Sequence, residues 1–304
     1  MHAAHGHHHH DDGHTHYDRS AADDRRYTIA IALNLGFVAI ETAAGFLANS
    51  TALLSDAAHN LSDVLGLAFA GGAAWLASRQ TSERRTYGYA KATVLAALAN
   101  ALVLVLACSG ILWEAIGRLL RPEPAQAGIV MAVAAAGVLI NGATALLFAR
   151  QRRHDVNARG AYLHMLADAG VSAAVIAAGA AMLLTRWTWI DPAISLVVVA
   201  VILWSTWGLL QESLDLALDA APAHIDVGAL RAFLAAQPGV TAVHDLHVWA
   251  LSATKPALTA HIVRPDGNDD AFLAELTEAL TKKFGISHVT VQVERTRRDD
   301  CAEC

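Results

Sequence analysis

Six stretches of mostly apolar residues, each about 20 or more long, constrain this chain more than any other feature. About 20 apolar residues in a helix cross the hydrocarbon core of a bilayer. The stretches run from about Tyr27 to Asn49, Thr51 to Ser78, Ala92 to Leu120, Ala125 to Ala149, Arg159 to Leu184 and Trp189 to Leu210. Composition points the same way, with 55% hydrophobic and only 16% charged residues among 304 and a mean hydropathy of +0.37. An ordinary soluble domain is more polar than this, so the chain reads as a multi-pass membrane protein.

Short loops rich in Lys and Arg stay on the cytoplasmic side. Arg19, Arg25 and Arg26 precede the first stretch; Arg79, Arg84, Arg85 and Lys91 separate the second from the third; Arg150, Arg152, Arg153 and Arg159 separate the fourth from the fifth. The opposite loops carry only Arg118, Arg121 and Arg186. Both termini are therefore expected in the cytoplasm, with the helices in the cell (inner) membrane. Trp187 and Trp189 fit an aromatic belt at the outer interface. A net charge of -6 and no basic stripe argue against a nucleic-acid partner.

Residues 1–24 form a polar arm with neither the basic nor the apolar region of a cleavable signal peptide. Its histidines are interrupted by Gly and Asp and continue to His14 and His16, which fits a metal-gathering arm better than a tag. The six-helix domain is taken as 25–212, a soluble domain as 213–296 and a tail as 297–304. In the soluble part, "HIDVGALRAFLAAQPGV" predicts a helix, "VTAVHDLHVWALS" and "KPALTAHIVRP" strands, "DDAFLAELTEALTKKFG" a helix and "SHVTVQVERT" a strand. That order is most of a ferredoxin-like α+β unit. Its core is small, so oligomerisation is an expected source of stability.

Two of the oily stretches break their own pattern. The second contains "SDAAHNLSDV", with His59 and Asp63; the fifth contains "YLHMLADAG", with His164 and Asp168. A spacing of four stacks both side chains on one helix face, a turn apart. Together they offer two imidazoles and two carboxylates, a set that suits tetrahedral Zn²⁺ or a close relative. An ionisable group in mid-membrane costs about 2.5–3.5 kcal/mol on insertion scales. Four unexplained ones would cost about 10 kcal/mol, which a bound divalent cation offsets. One such pair alone reads better as a hydrogen-bonded clamp between helices; two matching pairs favour a metal site.

Depth is a test of this idea. His59 lies 8 residues from the outer end expected for its helix and Asp168 lies 16 from the outer end of its own. The offset corresponds to about 12 Å of helix, to be absorbed by boundary error or tilt. Asp56, a turn before His59, reads as an entrance ligand, a proton relay or a helix cap. Asn34, Glu41, Asn100, Glu114 and Asn141 are expected as interhelical or interfacial partners, and Cys108 as packing.

Six helices, the paired His-x-x-x-Asp motifs, the histidine-rich arm, "RRTYGYAKATVLAALAN", "HDLHVW" and the closing "TVQVE" together resemble the cation diffusion facilitator family, zinc-transporting type. The resemblance spans nearly the whole chain. It implies a homodimer in the lipid bilayer that exports Zn²⁺, with Cd²⁺ or Co²⁺ as possible further cargo, in exchange for protons. It also implies that His59, Asp63, His164 and Asp168 form the transport site, where a histidine at 59 favours zinc. In the soluble domain it implies regulatory zinc ligands at His244, His247, His261 and Glu294, with Cys301 and Cys304 of "CAEC" as soft ligands. His244 and His247 are three apart, so on a straight strand they face opposite ways and at most one joins His261 unless the strand bends. His288, nearby, reads equally as a further ligand and as an exposed histidine on a strand. The family's loop site between helices two and three needs Asp and His, and residues 79–91 offer only Glu83.

The expected mechanism is alternating access, with protons and metal competing for the same ligands. An intramembrane metalloenzyme would need an open coordination position and a general base, and no His-Glu-x-x-His is present. A metal sensor or store would need only the arm and "CAEC", and leaves the ligands in helices two and five unexplained.

Overall fold

A computed structural model of the protein describes residues 21–121, 123–149, 156–266 and 269–296. The histidines of the N-terminal arm, Arg150, Arg152 and Arg153, and the Cys301/Cys304 pair lie outside the described residues. Six long helices come first: α1 (Ala21–Leu47), α2 (Thr51–Ala77), α3 (Ala92–Leu120), α4 (Ala127–Phe148), α5 (Val156–Thr185) and α6 (Ile190–Ala217). The C-terminal part follows as α7 (Val227–Ala235), β1 (Ala242–Ser252), β2 (Lys255–Val263), α8 (Asp269–Phe284) and β3 (His288–Glu294). The molecule thus has a helical transmembrane domain and an α+β C-terminal domain.

By length and composition, α3, α4, α5 and α6 are each apolar enough to cross a membrane. The apolar part of α1 runs over Ala32–Leu47, and α2 is diluted by its own Ser55, Asp56, His59, Asn60, Ser62 and Asp63. Helix α6 continues past the expected end near Leu210 to Ala217, because "QESLDLA" keeps helix-forming residues beyond the last tryptophan.

The N-terminus of α2 is closed by a device that its own sequence does not announce. Ser50 accepts a hydrogen bond from the Leu53 N–H at 3.2 Å, an ordinary N-cap. Asp191, in the first turn of α6, then accepts from the Ser50 hydroxyl, from the Thr51 N–H at 2.7 Å and from the Thr51 hydroxyl at 2.9 Å. A buried carboxylate at a helix N-terminus satisfies the orphan donors and complements the dipole. Ser55 and Ser195 continue the seam at 2.7 Å, so α2 and α6 are stapled at their N-terminal ends.

Helix α5 is held chiefly by α4. The two approach closely because small residues face the partner: a Cβ on Gly137 would stand 2.8 Å from Ser172 Oγ, and one on Gly179 2.5 Å from Met131 Cγ. Helix α5 meets α2 over only a short stretch.

In the C-terminal domain the sheet order is β1-β2-β3, antiparallel then parallel. Leu258, Ala260 and Ile262 of β2 turn to the helices and pack with Leu230, Leu234, Leu276 and Leu280. Strand alternation therefore points His261 to the other face. The domain sits against the α2–α3 connection. Lys91 pairs with the Asp219 carboxylate and donates to the Ala250 carbonyl at 3.2 Å, while the Ala253 N–H donates to Thr93 Oγ1 at 3.0 Å.

Candidate metal centres

Helix periodicity places His59 over Asp63 on α2 and His164 over Asp168 on α5, and the short α2–α5 crossing brings the pairs face to face. His164 Nε2 lies 3.2 Å from Asp63 Oδ2 and 3.6 Å from Asp168 Oδ2. His59 Nε2 lies 3.6 Å from Asp168 Oδ1 and 4.0 Å from Asp63 Oδ2. The two rings meet edge to face with centroids 6.0 Å apart. Each of these two nitrogens faces both carboxylates, but the tightest set of donors leaves His59 out. Asp63, His164 and Asp168 already offer donor atoms within 4.8 Å of one another.

The 12 Å offset counted from the sequence is absent here, and helix ends do not explain its disappearance. Helix α2 begins at Thr51 and α5 ends at Thr185, within a residue of expectation. Helix α5 packs along α4 and touches α2 only briefly. Burial is uneven around the ring. The Asp168 side chain is 4% exposed and His59 22%, against 36% for Asp63 and 40% for His164.

The other polar groups of the bundle divide. Asp56 does not cap α2, because Ser50 does; it is buried and accepts from Ser172 Oγ at 3.2 Å. Glu41, also buried, accepts from Asn60 Nδ2 at 3.1 Å. Asn34 lies 3.7 Å from the Met165 sulfur. Glu114 pairs within its own helix with Arg118. Asn141 is buried, and its Nδ2 has no partner among the described residues; Asn100 contributes a side chain beside Gly66. Cys108 packs with Leu104, Val198, Val199 and Ile202.

A second cluster lies on the open face of the C-terminal sheet. His244 Nε2 is 3.1 Å from Glu294 Oε2 and His261 Nδ1 is 3.3 Å from Glu294 Oε1; the three residues present donors within 4.8 Å of one another. His244 and His247 would face opposite ways on a straight strand, but the register shows that β1 is not straight here. His244 pairs with His261 and His247 with Thr259, with an irregularity between. Two residues of β1 thus oppose one of β2, a bulge, which returns His247 to the face that carries His244. Asp245 provides the turn at φ 50°, a conformation that Asp tolerates better than most residues.

Being on the same face does not bring His247 into the trio. Its Nε2 lies 2.9 Å from Asp245 Oδ1, and Asp245 Oδ2 lies 3.5 Å from His261 Nε2, so Asp245 links His247 to the cluster. Asp245 is the residue that sequence reasoning missed; its only signal was its place between the two histidines. Hydrogen bonding from His247, then the nearby imidazoles, hold the Asp245 carboxyl below the usual carboxylate range. For Glu294 burial pushes upward, but hydrogen bonds from Gln292 and His244 and the charges of His244 and His261 outweigh it, leaving the carboxyl below its ordinary value. His288 pairs with Ala257, four residues along β3 from the Gln292 that pairs with His261, and its ring stacks edge-on with Tyr87 at 5.5 Å.

Comparison with known proteins decides what kind of molecule carries these clusters. Residues 27–216 match the cation efflux transmembrane domain family, and residues 222–296 match the cation efflux protein cytoplasmic domain family. The chain belongs to the cation efflux, or cation diffusion facilitator, family. It is a multi-pass membrane transporter and not an enzyme. The metal cation efflux system protein CzcD of Cupriavidus metallidurans is 38% identical over 93% of this chain and 90% of its own length. The zinc transporter ZitB of Escherichia coli is 37% identical over 94% of this chain and 91% of its own. A cadmium, cobalt and zinc/H(+)-K(+) antiporter of Bacillus subtilis is 32% identical over 93% of this chain and 92% of its own.

Proposed function

We propose that this cation efflux protein exports Zn²⁺, with Cd²⁺ and Co²⁺ as further cargo, in exchange for protons, and that His59, Asp63, His164 and Asp168 hold the cation in transit. The observation that carries the reading is the closed ring of nitrogen-to-carboxylate distances, 3.2–4.0 Å, joining α2 to α5. Two imidazoles and two carboxylates on one centre suit a four-coordinate ion of zinc's type. Among the relatives' names, a zinc transporter agrees in cargo, and a cadmium, cobalt and zinc/H(+)-K(+) antiporter agrees in cargo and in proton coupling.

Ligands must shed protons to bind the ion, and histidine titrates near physiological pH, so metal and protons exclude one another. In an alternating-access cycle the cytoplasmic side loads the ion and protons entering from outside displace it. Asp63 and His164 are the more exposed members of the four, so they are the first groups within reach of an entering ion or proton.

In the C-terminal domain, His244, His261 and Glu294 provide buried or half-buried nitrogen and oxygen donors, a set that fits a regulatory zinc ion, with Asp245 and His247 beside it. Cys301 and Cys304 would add thiolates. The polar arm of residues 1–24 would gather metal at the same face. We assign the working unit as a homodimer, in keeping with a transmembrane domain of 25–212, a cytoplasmic domain of 213–296 and a tail of 297–304.

The test is zinc flux into proteoliposomes under an imposed pH gradient, wild type against Asp168→Ala. Flux in the variant at the level of empty vesicles is the expected result. Equal flux in the two proteins contradicts the site.

A further inference from the structure

Beside the four-residue centre lies a second buried polar group that the transport cycle as described does not use. Glu41 on α1 is 0% exposed and Asp56 on α2 is 1% exposed, and the two carboxyls interact electrostatically inside the bundle. Each has one neutral donor: Asn60 Nδ2 for Glu41 Oε2 at 3.1 Å and Ser172 Oγ for Asp56 Oδ2 at 3.2 Å. The remaining oxygens, Glu41 Oε1 and Asp56 Oδ1, have no donor among the described residues. Two facing carboxyls sealed from water do not both carry charge, and one proton shared between them supplies the missing donor to both.

The pair is placed to feel the transported ion. Asp56 stands three residues before His59, about one helical turn, and its donor Ser172 stands one turn after Asp168 on α5. Among titratable groups on the packed helices, His59 and Asp168 bear on the pair. Asp191 of α6 is engaged by Ser50 and Thr51, Glu114 of α3 pairs with Arg118, and α4 has no titratable side chain over Ala127–Phe148.

We propose that Glu41 and Asp56 hold one exchangeable proton between them, and that this proton leaves when the cation enters the neighbouring centre. The inference rests on the four-residue centre being the cargo site. The balance is simple: the ion adds two positive charges, the pair passes from one negative charge to two, and the proton goes to water. A divalent cation about a turn away stabilises the doubly ionised pair that an empty centre leaves intolerable. Glu41 and Asp56 thereby couple proton to metal without touching the metal.

The experiment counts protons released per zinc ion, in weakly buffered detergent solution with a pH indicator, using the full chain. Glu41→Gln can still accept from Asn60 and offers an amide donor to Asp56, but holds no exchangeable proton. Release is expected to fall by one proton per zinc bound in the membrane domain, and the pH slope of zinc flux by one. Asp56→Asn carries the same expectation, and the double variant should lose no more than either single one. An unchanged count in both single variants overturns the proposal. Asp168→Ala separates the two readings: if it still binds zinc like wild type, the cargo site is wrong, whereas lost binding with an unchanged count in Glu41→Gln defeats only the proton pair. Should both variants unfold, a protonated-carboxyl infrared band that persists in wild type after zinc addition overturns it equally.

Discussion

The two clusters use the same chemistry on different scaffolds. In the bundle, histidine and aspartate sit four apart on α2 and again on α5, and the helical repeat alone aligns each pair. On the C-terminal sheet, His244 and His247 share a face only because β1 carries one extra residue opposite β2. A helix fixes relative direction through local geometry, about 100° per residue. A strand fixes it through register, where one residue more or less reverses every side chain.

A single deletion breaks the comparison open. Removing Leu61 turns Asp63 by about 100° relative to His59, and zinc flux should fall by at least about 100-fold, more than loss of an outer-sphere partner costs. Flux within tenfold of wild type would mean that the helical face does not matter. Removing Asp245 is expected to do far less. It erases the bulge, leaves His244 and His247 two apart on one face, and keeps Val248 in the core. Zinc affinity of the C-terminal domain, read in an Asp168→Ala background, should change by less than about tenfold. Between the two falls His261→Ala, which removes a member of the trio; affinity there should drop by about 10–100-fold with flux reduced less. Flux abolished by His261→Ala would place the cargo path through the C-terminal domain.

The smallest effect is in acid. Asp245 and Glu294 are held below their ordinary values by His247 and by Gln292 and His244 respectively. A carboxylate depressed on folding contributes stability above its unfolded value, and loses it as pH falls through the folded one. The metal-free C-terminal domain should therefore hold its melting temperature down to roughly pH 4 and lose it below, through the ordinary Asp and Glu range. The loss should be shallower in Asp245→Asn. A melting temperature that rises as pH drops below 4 has the wrong sign.

What could be read from the residues follows the same division. Helices α3 to α6 were legible because about twenty mostly apolar residues in a row have few alternatives in water or lipid; α1 and α2 carry a shorter or more polar version of the same signal. His59/Asp63 and His164/Asp168 were legible as pairs because spacing on a helix is local. Their mutual distance was not: it depends on how α5 lies along α4, set by contacts such as Gly137 with Ser172, which no spacing reveals. The Asp191 closure of α2 joins residues about 140 positions apart. The bulge was hidden because "HDLHVW" fits a straight strand as well as a bent one, and only pairing with β2 distinguishes them.

The central claim, that the cargo sits between α2 and α5, is tested most directly by X-ray absorption at the zinc edge. The protein to use lacks residues 1–20 and 297–304 and carries His261→Ala, so that the membrane centre is the main one loaded. Four nitrogen and oxygen neighbours at about 2.0–2.2 Å, two of them imidazole, are predicted, with the imidazole signal halved in His164→Ala. A shell of five or six oxygens without imidazole, or a spectrum unmoved by His164→Ala, would contradict it.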